Sequence, residues 1–226
     1  GPLLRLVERS STTHLLNTLL VQQKQQQQCR SRCGLVAALP NDESASMLPS
    51  LTEATALLHH RGPNGQVTHH SSALSLGHAR LAIVDPDNRS ADMPFALPYH
   101  DRVVHVVANG EIYNHRQLYE QLQQQHGWDA TSLQQSQSDC EVIGHLYQQY
   151  GTDMPAMLDG MFALVVATEV NGRIVTSLAA RDPVGIKPLY MAQDVNDNTL
   201  FASELKALVG RVVTSTVQVV PAGHYW

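Results

Sequence analysis

The composition of the chain changes at residue 33. Upstream, VQQKQQQQCRSR (residues 21–32) is rich in glutamine, and low-complexity glutamine cannot build a packed core. Downstream, Cys33-Gly34 leads directly into LVAAL, a short apolar run typical of a buried strand. The folded part of the chain is therefore expected to begin at Cys33.

Residues 1–32 are predicted to form an extension that is either disordered or loosely helical. Gly1-Pro2 resembles the scar left when a protease removes a purification tag, so it carries no information on the fold. The arginines and hydroxyl residues of segment 3–28 suggest an organelle-targeting segment, whereas Glu8 and the scarcity of further arginines argue against one. The expected location is the cytoplasm.

The bulk composition excludes two classes of partner. A formal charge of −5 argues against nucleic acid, because Lys and Arg dominate phosphate binding. No apolar run approaches the roughly 18–20 residues that span a bilayer. The 3 cysteines, Cys29, Cys33 and Cys140, form no disulfide framework and suit a reducing compartment, and free thiols are favoured over a Cys29–Cys33 bridge.

Strands outnumber helices in the predicted secondary structure, and hairpins outnumber βαβ units. The clearest hairpin joins segments 162–170 and 173–180 through Asn171-Gly172, which favours a type I′ turn. Helices are predicted within 49–60, 115–125, 138–151 and 203–209. The pattern predicts an α+β fold with antiparallel sheets.

Helix ends carry specific signals. Asn114 is a favourable N-cap for the second predicted helix. Ser138 and Glu141 have the spacing of a capping box for the third, and Gly151 follows its last turn.

Cys33 is a candidate nucleophile that lacks a base of its own in the sequence. A thiol with a pKa of about 8.5 is only slightly ionised at neutral pH, and no Cys-His-Asn spacing surrounds Cys33. If Cys33 were the first residue, its own α-amino group, with a pKa of about 7.7–8.0, would be an adjacent base. A buried core cysteine is the competing interpretation.

The segment NGEIYN (109–114) lies between a β-rich run and a predicted helix. The Asn109 side-chain amide and the Gly110 N–H form a pair of donors suited to a developing oxyanion. An ordinary Asn-Gly turn is the alternative.

Several segments, taken in order, resemble the glutaminase domain of asparagine synthetases. They are CGLVAAL, HHRGPNG, HARLAIVD, NGEIYN, SDCEVI, LDGMFALVV, RDPVGIKPLY, SELKAL and PAGHYW, and they extend over residues 33–226. That domain is a class II glutamine amidotransferase, one of the N-terminal-nucleophile hydrolases. The resemblance implies a four-layer αββα sandwich of two mainly antiparallel sheets.

The resemblance also implies a reaction and its residues. Cys33 would attack the side-chain amide of glutamine to give a thioester, glutamate and ammonia, with its α-amino group as base. Asn109 and Gly110 would form the oxyanion hole. Arg80 would bind the substrate carboxylate and Asp139 its ammonium group, with Leu81, Ile83 and Glu111 lining the pocket. Arg80 on a surface strand, and Asp139 as a helix-start residue, are the alternatives.

The implied partners and cofactors follow the family. The ammonia would pass to a synthetase domain of the same full-length protein that makes asparagine from aspartate. That domain is expected to lie outside this chain, with its ATP and Mg; the glutaminase domain itself needs no cofactor. The resemblance also admits a homodimer.

The 12 histidines include two adjacent pairs, His59-His60 and His69-His70, but no recognisable metal-ligand pattern, so no metal is expected.

The chain departs from the family at two positions. Met93 stands where glutamine is usual, which puts one loop contact in doubt. Arg32 precedes the nucleophile, and the first methionine is Met47. Either a propeptide is cut after Arg32, or Cys33 is blocked. A non-hydrolysing interaction or scaffold domain and the glutaminase of another amidotransferase therefore stay open as alternatives. RDPVGIKPLY is interpreted as scaffold, and Cys140 as a packing residue.

Overall fold

The computed structural model of the chain describes residues 33–40, 48–82, 89–128 and 134–226. The predicted extension over residues 1–32 lies outside these ranges, as do Cys29 and Ile83. Among the described residues, no helix is long and apolar enough to cross a membrane.

The first sheet has six strands in the order β10-β8-β9-β1-β3-β2, and its neighbouring strands are antiparallel. Its strands are β1 (Gly34–Leu39), β2 (Gly65–His70), β3 (Ser75–Arg80), β8 (Tyr190–Gln193), β9 (Thr199–Ala202) and β10 (Gln218–Val219). Strand β1 lies inside this sheet and is buried along its whole length, as its apolar sequence predicts.

The second sheet contains β4 (Phe95–Tyr99), β5 (Arg102–Ile112), β6 (Gly160–Val170) and β7 (Arg173–Arg181), in that order and antiparallel. The predicted hairpin joins β6 to β7. Its turn residues Asn171 and Gly172 have φ values of 50° and 76°, and a type I′ turn requires positive φ at both positions. The hairpin prediction is confirmed.

The two sheets pack face to face, and helices cover their outer faces. The core between the sheets is formed by Leu35, Ala37, Leu39, Val107, Val165, Ala179 and Phe201, among others. Helices α2 (His115–His126) and α3 (Val142–Tyr150) cover the other face of the second sheet. The short helix α1 (Thr52–Ala56) packs on the first sheet, where a Cβ on Gly77 would lie 2.0 Å from Thr55 Oγ1. The α+β sandwich is confirmed.

Two predicted helices are shorter than expected. The segment 49–60 contains only α1, and the segment 203–209 contains only a 3₁₀ turn, Leu205–Ala207. The second is limited from both sides, because Glu204 is extended and Gly210 has a φ of 74°. Other 3₁₀ turns are Arg89–Ala91, Gly151–Met157 and Thr214–Thr216.

The capping box predicted for α3 is wrong. The Glu141 carboxylate accepts hydrogen bonds from the N–H groups of Gln135 (2.6 Å) and Ser136 (2.9 Å) and from the Ser136 hydroxyl (2.6 Å). Three donors from the preceding loop satisfy this fully buried carboxylate better than a single helix N–H would. Glu141 therefore fastens the loop before Asp139 to the start of α3. Gly151 ends α3 with a φ of 56°, as predicted.

Asn114 precedes α2 but does not cap it with its side chain. Its Nδ2 donates to the Met157 carbonyl, and its Oδ1 accepts the Asp159 N–H, each at 3.0 Å. The side chain therefore ties the start of α2 to the segment that enters β6, because those backbone groups have no strand partner of their own.

Candidate active site

A pocket opens at one end of the gap between the two sheets. Side chains alternate between the faces of a strand, so residues two apart from a core residue also face inward. Leu35 lies in the core between the sheets, which places Cys33 on the same side of the first sheet. On β5, Val107 lies in that core and Asn109 follows it by two residues. The two backbones therefore direct both side chains into one pocket.

The pocket brings together all but one of the residues predicted for the site. Its walls include Cys33, Arg80, Leu81, Asn109, Gly110, Glu111 and Asp139. Ile83 lies outside the described residues. The walls also include residues with no predicted role in the site: His78, Ala91, Met93, Ser138, Cys140, Met161 and Lys187.

The Cys33 thiol is free and partly buried. The Leu81 N–H donates to Sγ at 3.3 Å, and Sγ lies 3.7 Å from the Leu81 carbonyl oxygen. Burial raises the pKa of the Cys33 thiol above its ordinary value, although the Leu81 backbone and the Lys187 charge oppose the rise. In this environment the thiol needs a base to become a nucleophile.

A buried ion pair holds the backbone of Cys33. Arg61 donates through Nε to the Cys33 carbonyl (3.0 Å) and through an Nη to Glu204 Oε1 (2.9 Å). Burial alone would raise the pKa of Glu204, but the hydrogen bond and charge of Arg61 hold it below its ordinary value. These residues lie in the HRGP and SELK segments, to which the sequence prediction assigned no role. The link between them is a contact across 143 residues that no local pattern indicates.

Asn109 and Gly110 supply two candidate oxyanion donors. Asn109 is fully buried, and neither polar atom of its side chain has a hydrogen-bond partner among the described residues. Gly110 lies opposite Phe162, whose N–H and carbonyl bond the Asp182 side chain and backbone instead, at 3.3 and 2.8 Å. In antiparallel geometry the Gly110 N–H therefore points away from β6.

Gly110 is also required by the close approach of β6. A Cβ at this position would lie 2.3 Å from the Met161 carbonyl oxygen. A larger residue would separate the strands and move the Asn109 amide with them.

Opposite charges line the pocket walls. Arg80 is buried and pairs with Asp92 at 2.6 Å, a partner that the sequence prediction did not include. Asp139 is also buried, and its Oδ2 accepts the Ile112 N–H at 2.6 Å. One cation and one anion at fixed positions suit a zwitterionic amino acid.

Three of the wall residues without a predicted role in the site show what the sequence could and could not indicate. His78 precedes Arg80 by two residues on β3, so strand alternation alone would have placed it beside Arg80. Cys140 is a core residue as predicted, but it also lines the pocket, and burial raises its pKa well above the ordinary value. Met93 is buried in the wall, and its Sδ accepts the Ala108 N–H at 3.3 Å.

RDPVGIKPLY has two parts with different surroundings. The Arg181 guanidinium donates to the carbonyls of Gly185, Lys187 and Val220, and the Asp182 carboxylate accepts backbone N–H groups of the same loop. This part is scaffold, as predicted. Lys187 is buried and lines the pocket, which was not expected.

The described histidines form no metal-ligand cluster. Across the ranges that the structure describes, no group of three or more His, Cys, Asp or Glu side chains is arranged to hold a metal ion. His60 instead bonds Glu204 Oε1 at 2.9 Å.

The family model for the glutamine amidotransferase domain matches residues 32–225. The chain belongs to this family. Among its relatives, asparagine synthetase [glutamine-hydrolyzing] 2 of Oryza sativa subsp. japonica is 43% identical over 177 residues, which is 78% of this chain and 28% of that protein. The asparagine synthetase [glutamine-hydrolyzing] of Triphysaria versicolor is 38% identical over 195 residues, 86% of this chain and 30% of that protein. The amidotransferase chain thus spans less than a third of the length of these relatives.

Solved structures share the fold. The glutamine phosphoribosylpyrophosphate amidotransferase from B. subtilis superposes with a TM-score of 0.63 at 22% identity, covering 85% of this chain and 46% of that one. An allosteric regulatory enzyme of purine biosynthesis gives a TM-score of 0.56 at 23% identity, covering 87% and 41%. At this identity the likeness supports the amidotransferase sandwich alone.

Proposed function

We propose that residues 33–226 hydrolyse the side-chain amide of glutamine and supply the ammonia to a synthetase domain that makes asparagine from aspartate. The observation that carries the proposal is the pocket of this family member. It holds a thiol, a buried unpaired amide and two opposite charges. The relatives that are named asparagine synthetases favour asparagine as the product of the whole protein.

The proposed reaction proceeds through a thioester. The α-amino group of an N-terminal Cys33 takes the thiol proton, and the sulfur forms a bond to the glutamine amide carbon. Asn109 Nδ2 and the Gly110 N–H stabilise the resulting oxyanion. The carbon–nitrogen bond breaks as the α-ammonium group returns the proton to the departing ammonia. Water then cleaves the thioester to release glutamate and the thiol.

The charged side chains of the pocket walls bind the α-carboxylate and α-ammonium groups of glutamine. Arg80 binds the α-carboxylate, because a guanidinium matches a carboxylate with two parallel hydrogen bonds. Asp139 binds the α-ammonium, and Glu111 and Leu81 line the same pocket. The part of Ile83 in substrate binding stays a prediction of the sequence. Glu141 supports Asp139 by fastening the preceding loop.

A glutamine amidotransferase domain needs no cofactor. ATP and Mg belong in the proposal to the synthetase domain, which is also the proposed partner within the full-length protein. A cytoplasmic location, a homodimer and the division at residue 32 stay predictions of the sequence.

The peptide bond between Arg32 and Cys33 supports one alternative function. While that bond is intact, Cys33 has no α-amino group, and the chain would act as a non-hydrolysing interaction or scaffold domain. N-terminal sequencing of protein from its native source separates the two functions. A chain that begins at Cys33 would support hydrolysis, and a chain that retains Arg32 would support the scaffold function.

Hydrolysis is tested on a chain whose first residue is Cys33. Glutamate and ammonia should form in equal amounts from glutamine, and a covalent glutamyl adduct should be found on Cys33 by mass spectrometry. No glutamate release from a chain verified to begin at Cys33 would contradict the proposed function. Hydrolysis without a matching synthetase domain downstream of Trp226 would favour another amidotransferase.

Asn109→Ala is expected to lower kcat by roughly two to three orders of magnitude, the usual effect of losing one oxyanion donor. KM for glutamine should change little, because the donor acts mainly on the tetrahedral intermediate. Steady-state kinetics of glutamate release measure both constants. A large rise in KM with unchanged kcat would assign Asn109 to substrate binding instead.

Arg80→Lys is expected to produce the opposite pattern. A lysine ammonium is a point charge that cannot reproduce the paired hydrogen bonds of the guanidinium. It would also weaken the buried pair with Asp92. KM for glutamine should rise while kcat falls much less, and an unchanged KM would remove Arg80 from carboxylate recognition.

A further inference from the structure

Two residues that line the pocket carry four buried polar atoms without a hydrogen bond of good geometry. They are Nδ1 and Nε2 of His78 and Nδ2 and Oδ1 of Asn109; among the described residues, only the Ala108 backbone lies close enough to the His78 ring to act on its pKa as a weak hydrogen-bond partner. Both side chains are buried, with 1% of His78 and none of Asn109 exposed. Buried side-chain polar atoms are nearly always paired, with protein or with ordered water. This pair of residues therefore calls for a bound polar group.

The fold directs both side chains to the same place. His78 lies opposite Leu35 on β1, and Leu35 faces the core between the sheets. Asn109 is two residues beyond Val107, which lies in that core from the other sheet. Both residues line the pocket that contains Cys33, one from each sheet.

The hydrogen-bonding groups of the two side chains are complementary. Burial lowers the pKa of His78 to about 4, against smaller opposing effects of the Asp92 carboxylate and the Ala108 backbone, so the imidazole is neutral at pH 7. A neutral imidazole has one donor and one acceptor. An oxyanion would use one N–H of the Asn109 amide, which leaves its Oδ1 and its second N–H to be satisfied inside the protein.

We propose that His78 is a positioning residue that holds the Asn109 amide through one buried water, so that Nδ2 is aimed at the oxyanion. The water lies between side chains that provide up to four polar atoms, and a buried water typically makes two to four hydrogen bonds. The assignment rests on the proposed function, because it gives His78 a part in the same hydrolysis. It adds a residue that acts through Asn109 without touching the substrate.

The test is a double-mutant cycle in a chain that begins at Cys33. His78→Phe removes both ring nitrogens and keeps the planar shape. It should lower kcat by about tenfold and leave KM nearly unchanged. In the Asn109→Ala background the same substitution should have almost no further effect, because the residue through which His78 acts is gone. His78→Gln keeps a donor and an acceptor and should restore part of the loss.

His105→Phe is the matched control. His105 is also buried and lies on β5, the strand of Asn109, but it bonds Glu169 Oε2 at 3.0 Å. This control should lose stability and keep its kcat. His78→Phe should also lose some stability, because the buried Asn109 amide loses its bridged partner. Independent, multiplying losses in the His78–Asn109 cycle, or a loss of kcat in His105→Phe as large as that in His78→Phe, would overturn the proposal.

A second measurement does not depend on activity. Solvent exchange of the Asn109 side-chain amide protons, followed by NMR with ¹⁵N-labelled asparagine, should be slow in the parent chain and faster in His78→Phe. Unchanged exchange would overturn the role of His78 even in a fully active enzyme. If the parent chain hydrolyses no glutamine but His78→Phe still speeds the exchange, the pairing is supported and the proposed function is contradicted.

Discussion

Cys33→Ala is expected to abolish glutamate release and to leave the fold intact. Without Sγ no thioester forms, and no other described thiol except Cys140 lines the pocket. Removing a catalytic nucleophile costs on the order of 10⁴-fold or more in turnover. The structural loss is small, since Sγ is partly buried and its hydrogen bonds join only the Leu81 backbone. Glutamate release and the thermal unfolding temperature should be measured on the same preparation.

Cys140→Ala is the matched control for this experiment. Its thiol lines the same pocket but is almost fully buried in the core between the second sheet and its helices. This variant should therefore lose more stability than Cys33→Ala and keep most of its turnover. If Cys33→Ala kept its turnover and Cys140→Ala lost it, the nucleophile would be wrongly assigned.

The parts of the fold that were predicted correctly have strong local signals. The apolar run of β1 and the Asn171-Gly172 turn each restrict the backbone within a few residues. The predictions that failed depended on contacts made outside the predicted element. Glu204 is extended and is bound by Arg61, so the helix predicted there is reduced to a turn. The Glu141 carboxylate bonds a loop instead of its own helix end, because loop donors lay within reach.

In the candidate site, too, some residues were predicted from their sequence segments and others were not. Cys33, Asn109 and Asp139 were placed by segments whose order resembles a family. His78 and Lys187 lie in two of the same segments, HARLAIVD and RDPVGIKPLY, but no role was assigned to either residue. Strand alternation places His78 beside Arg80, whereas no local pattern indicates that Lys187 reaches the pocket. The pairing of Arg80 with Asp92 was missed for a related reason. The two residues are 12 positions apart, and the sequence between them has no periodic pattern that would predict the contact.

A chain that retains residues 1–32 is expected to hydrolyse glutamine very slowly. The peptide bond to Arg32 converts the Cys33 nitrogen into an amide, which has no usable lone pair. Burial already raises the pKa of the thiol, so an unassisted thiolate is scarce. General-base assistance typically contributes about 10²–10⁴-fold, and the uncut chain should lose at least that much activity. The other titratable groups of the pocket compensate poorly, because His78 has a pKa of about 4 and is a weak base.

Three chains that differ by single residues at the N-terminus isolate this effect. A chain that begins at Cys33 should be active, with turnover rising with pH as an amine of pKa about 7.7–8.0 loses its proton. A chain that begins at Arg32 carries the same amine one residue too far from Sγ and should be as slow as the uncut chain. A chain that begins at Gly34 lacks the nucleophile and sets the background. Mass spectrometry must verify each N-terminus, since a trace of chain cut at Cys33 would imitate activity. Full activity in a verified uncut chain would exclude the α-amino group as the base, and His78 and Lys187 would then be the next residues to substitute.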